Sequence, residues 1–160
     1  MTSKQLINDL RLLPHPEGGY YRETFRSDET LTNKSGDIRN ICTAIYYLLE
    51  AKDKSHFHRI KSDELWFFHT GYPLEIFYIS DRKIKSITLG NNIQAGEVPS
   101  FRIPVDTWFA CRLKDEKGFA LVSCIVAPGF DFRDFELAGR EMLTKEFPDF
   151  KFIIEEFTRM

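Results

Sequence analysis

Three of the four histidines fall between positions 56 and 69, and Glu64 lies among them. Side chains of an extended chain alternate, so His56 and His58 of SHFHRI are expected on one face. Two imidazoles joined by a carboxylate from the next stretch are how a β-scaffold gathers ligands for a transition metal. The turn Arg59–Asp63 has the length to fold Glu64 back beside His58. The following strand sets Glu64, Trp66 and Phe68 on one side and Leu65, Phe67 and His69 on the other, which separates His69 from that site. The same residue types also fit hydrogen-bonded structural histidines. His15, between Pro14 and Pro16, reads as part of a rigid turn.

The elements that must position these residues are mostly strands. KQLINDLRLL behind Thr2 or Ser3 has helical spacing at Leu6, Leu10 and Leu13, and Pro14 ends it. PHPEGG (14–19) is a turn, and YYRETFRS begins a β-rich region. RNICTAIYYLL (39–49), SHFHRI, ELWFFH, LEIFYIS, KIKSITL, SFRI, TWFACRL and FALVSCIVA follow, divided by Gly, Pro and Asp turn signals. Short strands at this spacing predict an all-β sandwich or barrel. LAGREMLTKEF (137–147) returns to helical register, and 150–157 fits either strand or helix. With no repeat, low-complexity tract or linker, residues 1–160 read as one domain. Glu64–His69 is apolar on both faces, which calls for a core on one side and a second sheet or a second subunit on the other.

Charge and composition remove other classes. Twenty-two basic and 24 acidic residues leave a net charge of −2, so nothing draws the chain to nucleic acid or an anionic membrane. No apolar run approaches the roughly 20 residues of a membrane span, and the first residues lack the apolar centre of a signal peptide. Cys42, Cys111 and Cys124 are odd in number and sit in apolar runs, as core residues of a reducing compartment do. A cytoplasmic protein is the expectation.

HFHRIKSDELWFFHTG (56–71) resembles the first motif of the cupin superfamily, with His56, His58, Glu64 and Gly71 in its order and a five-residue spacer between His58 and Glu64. GEVPSFRIPVDTWFACRL stands where the second motif belongs. More narrowly, LLPHPEGGYYRETFRS, TAIYYLL and LVSCIVAPGFDFRDFELA are similar to the cupin-5-type domains of unknown function, over about Leu6 to Phe147. The resemblance implies an all-β cupin double-stranded β-helix (a jelly-roll barrel) with short N- and C-terminal helices, as a homodimer. It implies no settled activity. Trp108 and Phe109 occupy the place of a further metal-binding His, so a full three-His-plus-Glu set is not available; His56, His58 and Glu64 remain as ligands for a divalent metal that the sequence does not require.

Three functional readings stay open. The first is a small-molecule binder for a sugar, nucleotide or similar metabolite, with Trp66, Phe68, Trp108 and Phe109 walling the pocket. The second follows from similarity to the nucleotide-sugar 3,5-epimerases, which share the barrel. By that likeness His58 is a base, Glu64 its orienting group or a second acid, and Tyr46 or Tyr78 a proton donor. Arg22, Arg102 and Arg112 then hold a phosphate or carboxylate. The third is a metal-dependent cupin enzyme.

Overall fold

The computed structural model describes residues 1–159. Helix α1 (Ser3–Asp9) starts with a capping box: Gln5 N–H donates to the Thr2 hydroxyl, and Thr2 N–H donates to the Gln5 side chain. It stops short of the periodic pattern, because Arg11 turns into the left-handed region at φ 53°. That reversal frees Leu13–Pro14 to form strand β1. Then come β2 (Tyr20–Arg26), β3 (Thr30–Thr32), β4 (Ile38–Asn40), β5 (Thr43–Glu50), β6 (Lys54–Ile60), β7 (Asp63–Gly71), β8 (Leu74–Ser80) and β9 (Lys83–Leu89). After a loop, β10 (Ser100–Ile103), β11 (Phe109–Leu113), β12 (Phe119–Ala127) and β13 (Phe135–Leu137) complete the strands, and α2 (Arg140–Glu146) and α3 (Lys151–Glu156) end the chain.

Two antiparallel sheets face each other, ordered β1-β2-β5-β12-β7-β10 and β13-β6-β11-β8-β9, with a small β3-β4 hairpin beside them. This is the expected jelly-roll sandwich with short terminal helices. Helix expected over 137–147 splits: Phe135–Leu137 pairs with β6 and only 140–146 is α-helical. The ambiguous 150–157 segment is α3.

The inward faces of three neighbouring strands show how the interior is divided. Val122 on β12 stands opposite both Tyr47 on β5 and Phe68 on β7, Cys124 opposite Ile45 and Trp66, and Val126 opposite Thr43 and Glu64. Toward one end Leu49, Val122, Leu74 and Leu113 close into a packed core. Toward the other, Thr43, Ile45, Glu64, Trp66, Cys124 and Val126 line open space. Two further apolar layers lie outside. Phe57, Trp108, Leu143 and Phe157 join the five-stranded sheet to α2 and α3, while Leu6, Leu12, Leu48 and Leu121 join α1 to the six-stranded sheet.

Candidate functional site

The open end of the sandwich encloses a cavity of about 620 Å³, within the range of small-molecule sites. Its walls come from β2, β5, β7 and β12 on one side and β6 on the other. Phe130, Phe132 and Phe135 of the segment after β12 close it.

The chemistry of its floor depends on the 14–19 turn. Gly18 has φ +119°, and a Cβ there would collide with the Lys54 carbonyl, so only glycine lets the turn lie against β6. Both His56 N–H and His56 Nδ1–H donate to the Glu17 carbonyl, at 3.0 and 2.7 Å. The turn is thereby fixed, and the Glu17 side chain enters the sandwich, where it is 5% exposed. Its Oε2 lies 2.9 Å from His58 Nε2 and 3.8 Å from His15 Nδ1.

His58 is 3% exposed and donates from Nδ1 to the His56 carbonyl at 2.8 Å. A carbonyl can only accept, so Nδ1 carries a proton, and an ionised Glu17 then calls for a proton on Nε2 as well. Burial lowers the His58 pKa, but the charge and hydrogen bond of Glu17 outweigh it and the net direction is upward. Burial raises Glu17, and the charge and hydrogen bond of His58 turn the net shift downward. The two are an imidazolium–carboxylate pair. His15 differs: its Nδ1 accepts the Glu17 N–H at 3.2 Å, and burial lowers its pKa, so it stays neutral.

Glu64 stands beside this pair without a basic partner of its own. Burial first, and then the Glu17 charge, raise its carboxyl to about 7 against the pull of His58. Trp66, two residues along the same face and 1% exposed, has an indole N–H that no group meets at full hydrogen-bond distance. It leans weakly on Glu64, where it and the Cys124 thiol offset a minor part of the upward shift. The Tyr47 hydroxyl donates to the Gly18 carbonyl at 2.8 Å, and burial pushes its phenol well up. The arrangement can therefore hold a proton on Glu64, donate from Trp66, and keep one fixed ion pair next to a ligand.

Of the residues singled out by sequence, His58, Glu64 and Trp66 meet at this cavity. His56 does not. Phe109 pairs with His58 and Cys111 with Ser55, so His56 and Phe57 oppose Ala110 alone. That bulge breaks the alternation and turns the His56 ring to the Glu17 turn. The proposed ligand set His56, His58 and Glu64 is thus not assembled, and both nitrogens of His58 are already engaged. Among the described residues no three His, Cys, Asp or Glu side chains are arranged to hold a metal ion.

Other expectations are corrected by face. Tyr46 points to the outer side of its sheet and Tyr47 to the cavity. Tyr78 packs on Phe101 in the closed core, where Phe68 also lies. Trp108 sits in the layer under α2 and α3, covered by Arg59 at 4.4 Å. Phe109 is fully buried and supports the His58 ring from behind at 4.1 Å without lining the cavity. Arg22 borders the cavity, yet its guanidinium lies over Tyr46. Arg102 forks onto Asp63 in the open, and Arg112 is bound by Glu75 and Glu156 outside the five-stranded sheet. Glu17 and Tyr47 were not foreseen. The signal for Glu17 was the Gly18–Gly19 pair, which marks a backbone pressed against another strand.

A two-sheet jelly roll with a lined cavity at one end defines a barrel of the cupin type. The chain belongs to the Cupin superfamily (DUF985), whose family model matches residues 4–138. It is 34% identical to an uncharacterised protein of Saccharomyces cerevisiae, YML079W, over 82% of this chain and 72% of that one. Among solved structures, a hypothetical protein from Leishmania major superposes with a TM-score of 0.95 at 34% identity, covering 100% of both chains. Protein SO0799 from Shewanella oneidensis gives 0.91 at 38% identity over 99% and 98%. Oxalate decarboxylase from Bacillus subtilis shares the fold alone, at a TM-score of 0.57 and 14% identity over 90% of this chain and 36% of that one.

Proposed function

We propose that this protein binds a small metabolite in the barrel cavity, held between aromatic walls and the Glu64–Trp66 edge. The observation that carries the reading is a space large enough for a ligand, lined by the protonatable Glu64 and by Trp66, whose buried N–H no group meets at full hydrogen-bond distance. Buried donors without partners are costly, and a bound acceptor relieves that cost. The test is thermal stabilisation by a panel of sugars and related metabolites. A saturable rise in Tm in the wild type, reduced in Trp66→Phe, supports binding; a panel that moves neither protein counts against it.

A second reading, proton transfer on that ligand, is favoured by one feature: a carboxyl raised to about 7 beside a fixed ion pair. Glu64 then takes the acid–base role, and Glu17 with His58 stabilises developing charge. Exchange of a ligand C–H proton with deuterated solvent, lost in Glu64→Gln, would support this; absence of exchange in the wild type would leave only binding.

The half-buried outer face of the six-stranded sheet supports a homodimer. Free cysteines at 42, 111 and 124 fit a reducing, cytoplasmic setting. Among the described residues no helix is long and apolar enough to cross a membrane.

A further inference from the structure

We propose that Glu23 sets the ligand class: by engaging Arg26 at the cavity mouth it leaves no free cation on the wall, and the site takes an uncharged, hydrogen-bonding molecule rather than a phosphate or carboxylate. This rests on the reading that the cavity binds a metabolite.

Arg26 is the one guanidinium at the mouth that faces the space between the sheets among the described residues, and it is occupied. Its Nε donates to Glu23 Oε1 at 2.9 Å and its NH2 to Glu23 Oε2 at 2.7 Å, a two-point fork. Its NH1 donates to Asn40 Oδ1 at 2.8 Å and to the Phe130 carbonyl at 3.1 Å. Four of the five guanidinium protons are thus spoken for. The same contacts hold Phe130, one of the aromatic walls.

Among the described residues no other cation lining the cavity replaces it. The Arg22 guanidinium lies over Tyr46, and both His58 nitrogens are engaged by Glu17 and the His56 carbonyl. His15 accepts a backbone N–H at Nδ1 and is neutral. Asp131 at the rim is held by Arg133. An entering phosphate would meet the Glu17 and Glu64 carboxyls and would shed its water with no guanidinium in return. What the cavity does offer is the Trp66 N–H, a carboxyl able to donate or accept, and aromatic surface. Those suit a neutral molecule with a carbonyl or hydroxyls.

Inorganic phosphate is the probe, read by thermal shift at ionic strength matched with chloride, on the wild type, Glu23→Gln and the double variant Glu23→Gln/Arg26→Gln. Glu23 and Arg26 side chains are 40% and 38% exposed, so the substitutions leave the core alone. The wild type should show no saturable stabilisation. Glu23→Gln should bind phosphate at least about tenfold more tightly than the wild type, since one fork is released to the anion, and the double variant should lose the gain. Saturable phosphate stabilisation of the wild type overturns the proposal, and so does a Glu23→Gln protein as silent as the wild type. Failure of the binding reading shows elsewhere, as a wild type that no uncharged metabolite stabilises.

Discussion

The proton on His58 Nδ1 is fixed by a backbone carbonyl, so the ring presents Nε2 to Glu17 in one orientation. The carboxyl of Glu64 beside it is shifted upward as the imidazole is, while Glu17 is shifted downward, and the three shifts give stability a defined pH dependence. Glu64 is raised from 4.5 to about 7, so the folded protein holds a proton that the unfolded chain releases. Its contribution is full below about pH 4.5 and lost as pH rises through about 7, on the order of 3 kcal/mol for a fully buried group. His58, raised above 6.5, contributes stability that is present below 6.5 and lost as pH climbs through its folded value. Glu17, lowered below 4.5, contributes stability present above 4.5 and lost as pH falls through its folded value. Tm should therefore fall between about pH 5 and about pH 8. Glu64→Gln should flatten the part below about pH 7 and leave the rest, and a profile unchanged by that substitution would contradict the assignment. The sequence made His58 and Glu64 visible because both lie in the β6–β7 motif. Glu17 was not visible as a partner, because its distance from His58 in space is set by a turn 41 positions away in the chain.

At the scale of elements, the site depends on how tightly the 14–19 turn is pressed onto β6. Gly18 at φ +119° leaves no room for a Cβ against the Lys54 carbonyl. Gly18→Ala should force the turn away at a cost of about 2 kcal/mol or more, read by chemical denaturation. It should also release Glu17 from His58, read as a fall in the His58 imidazole pKa by NMR. From the other side, β6 is backed by the C-terminal helices. Phe57 meets the edge of Phe157 at 6.0 Å, and Phe157 is fully buried. Phe157→Ala should cost about 3–5 kcal/mol, measured by the same denaturation; a loss below about 1 kcal/mol would mean that the layer is not integral to the fold. Strand alternation predicted most of the sheet but not the bulge at His56–Phe57. An extra residue leaves no mark in apolar periodicity, yet it decides that His56 leaves the face on which His58 meets the cavity.

For the whole molecule, the outer face of the six-stranded sheet is what the isolated chain leaves unfinished. α1 covers only the part around Leu48 and Leu121. Beyond it, Ala44, Leu65, Phe67 and Ile125 share the outward face through the pairings Ile125–Ala44, Ile125–Leu65 and Ser123–Phe67, and all are half-buried. A sheet face meant for water would alternate to polar residues at these positions; contiguous apolar surface of this kind marks an interface. The same patch on a second copy would satisfy it through a two-fold axis, with Arg102 and Asp63, paired on the neighbouring edge, as a polar rim. Sedimentation should accordingly give a dimer. Phe67→Lys should weaken it at least about tenfold, since two buried charges would face one another across the axis. Because Phe67 points away from the cavity, ligand stabilisation per chain should survive in that variant. A monomeric wild type would leave the apolar strand face without a partner, whereas a dimer insensitive to Phe67→Lys would move the interface to another surface.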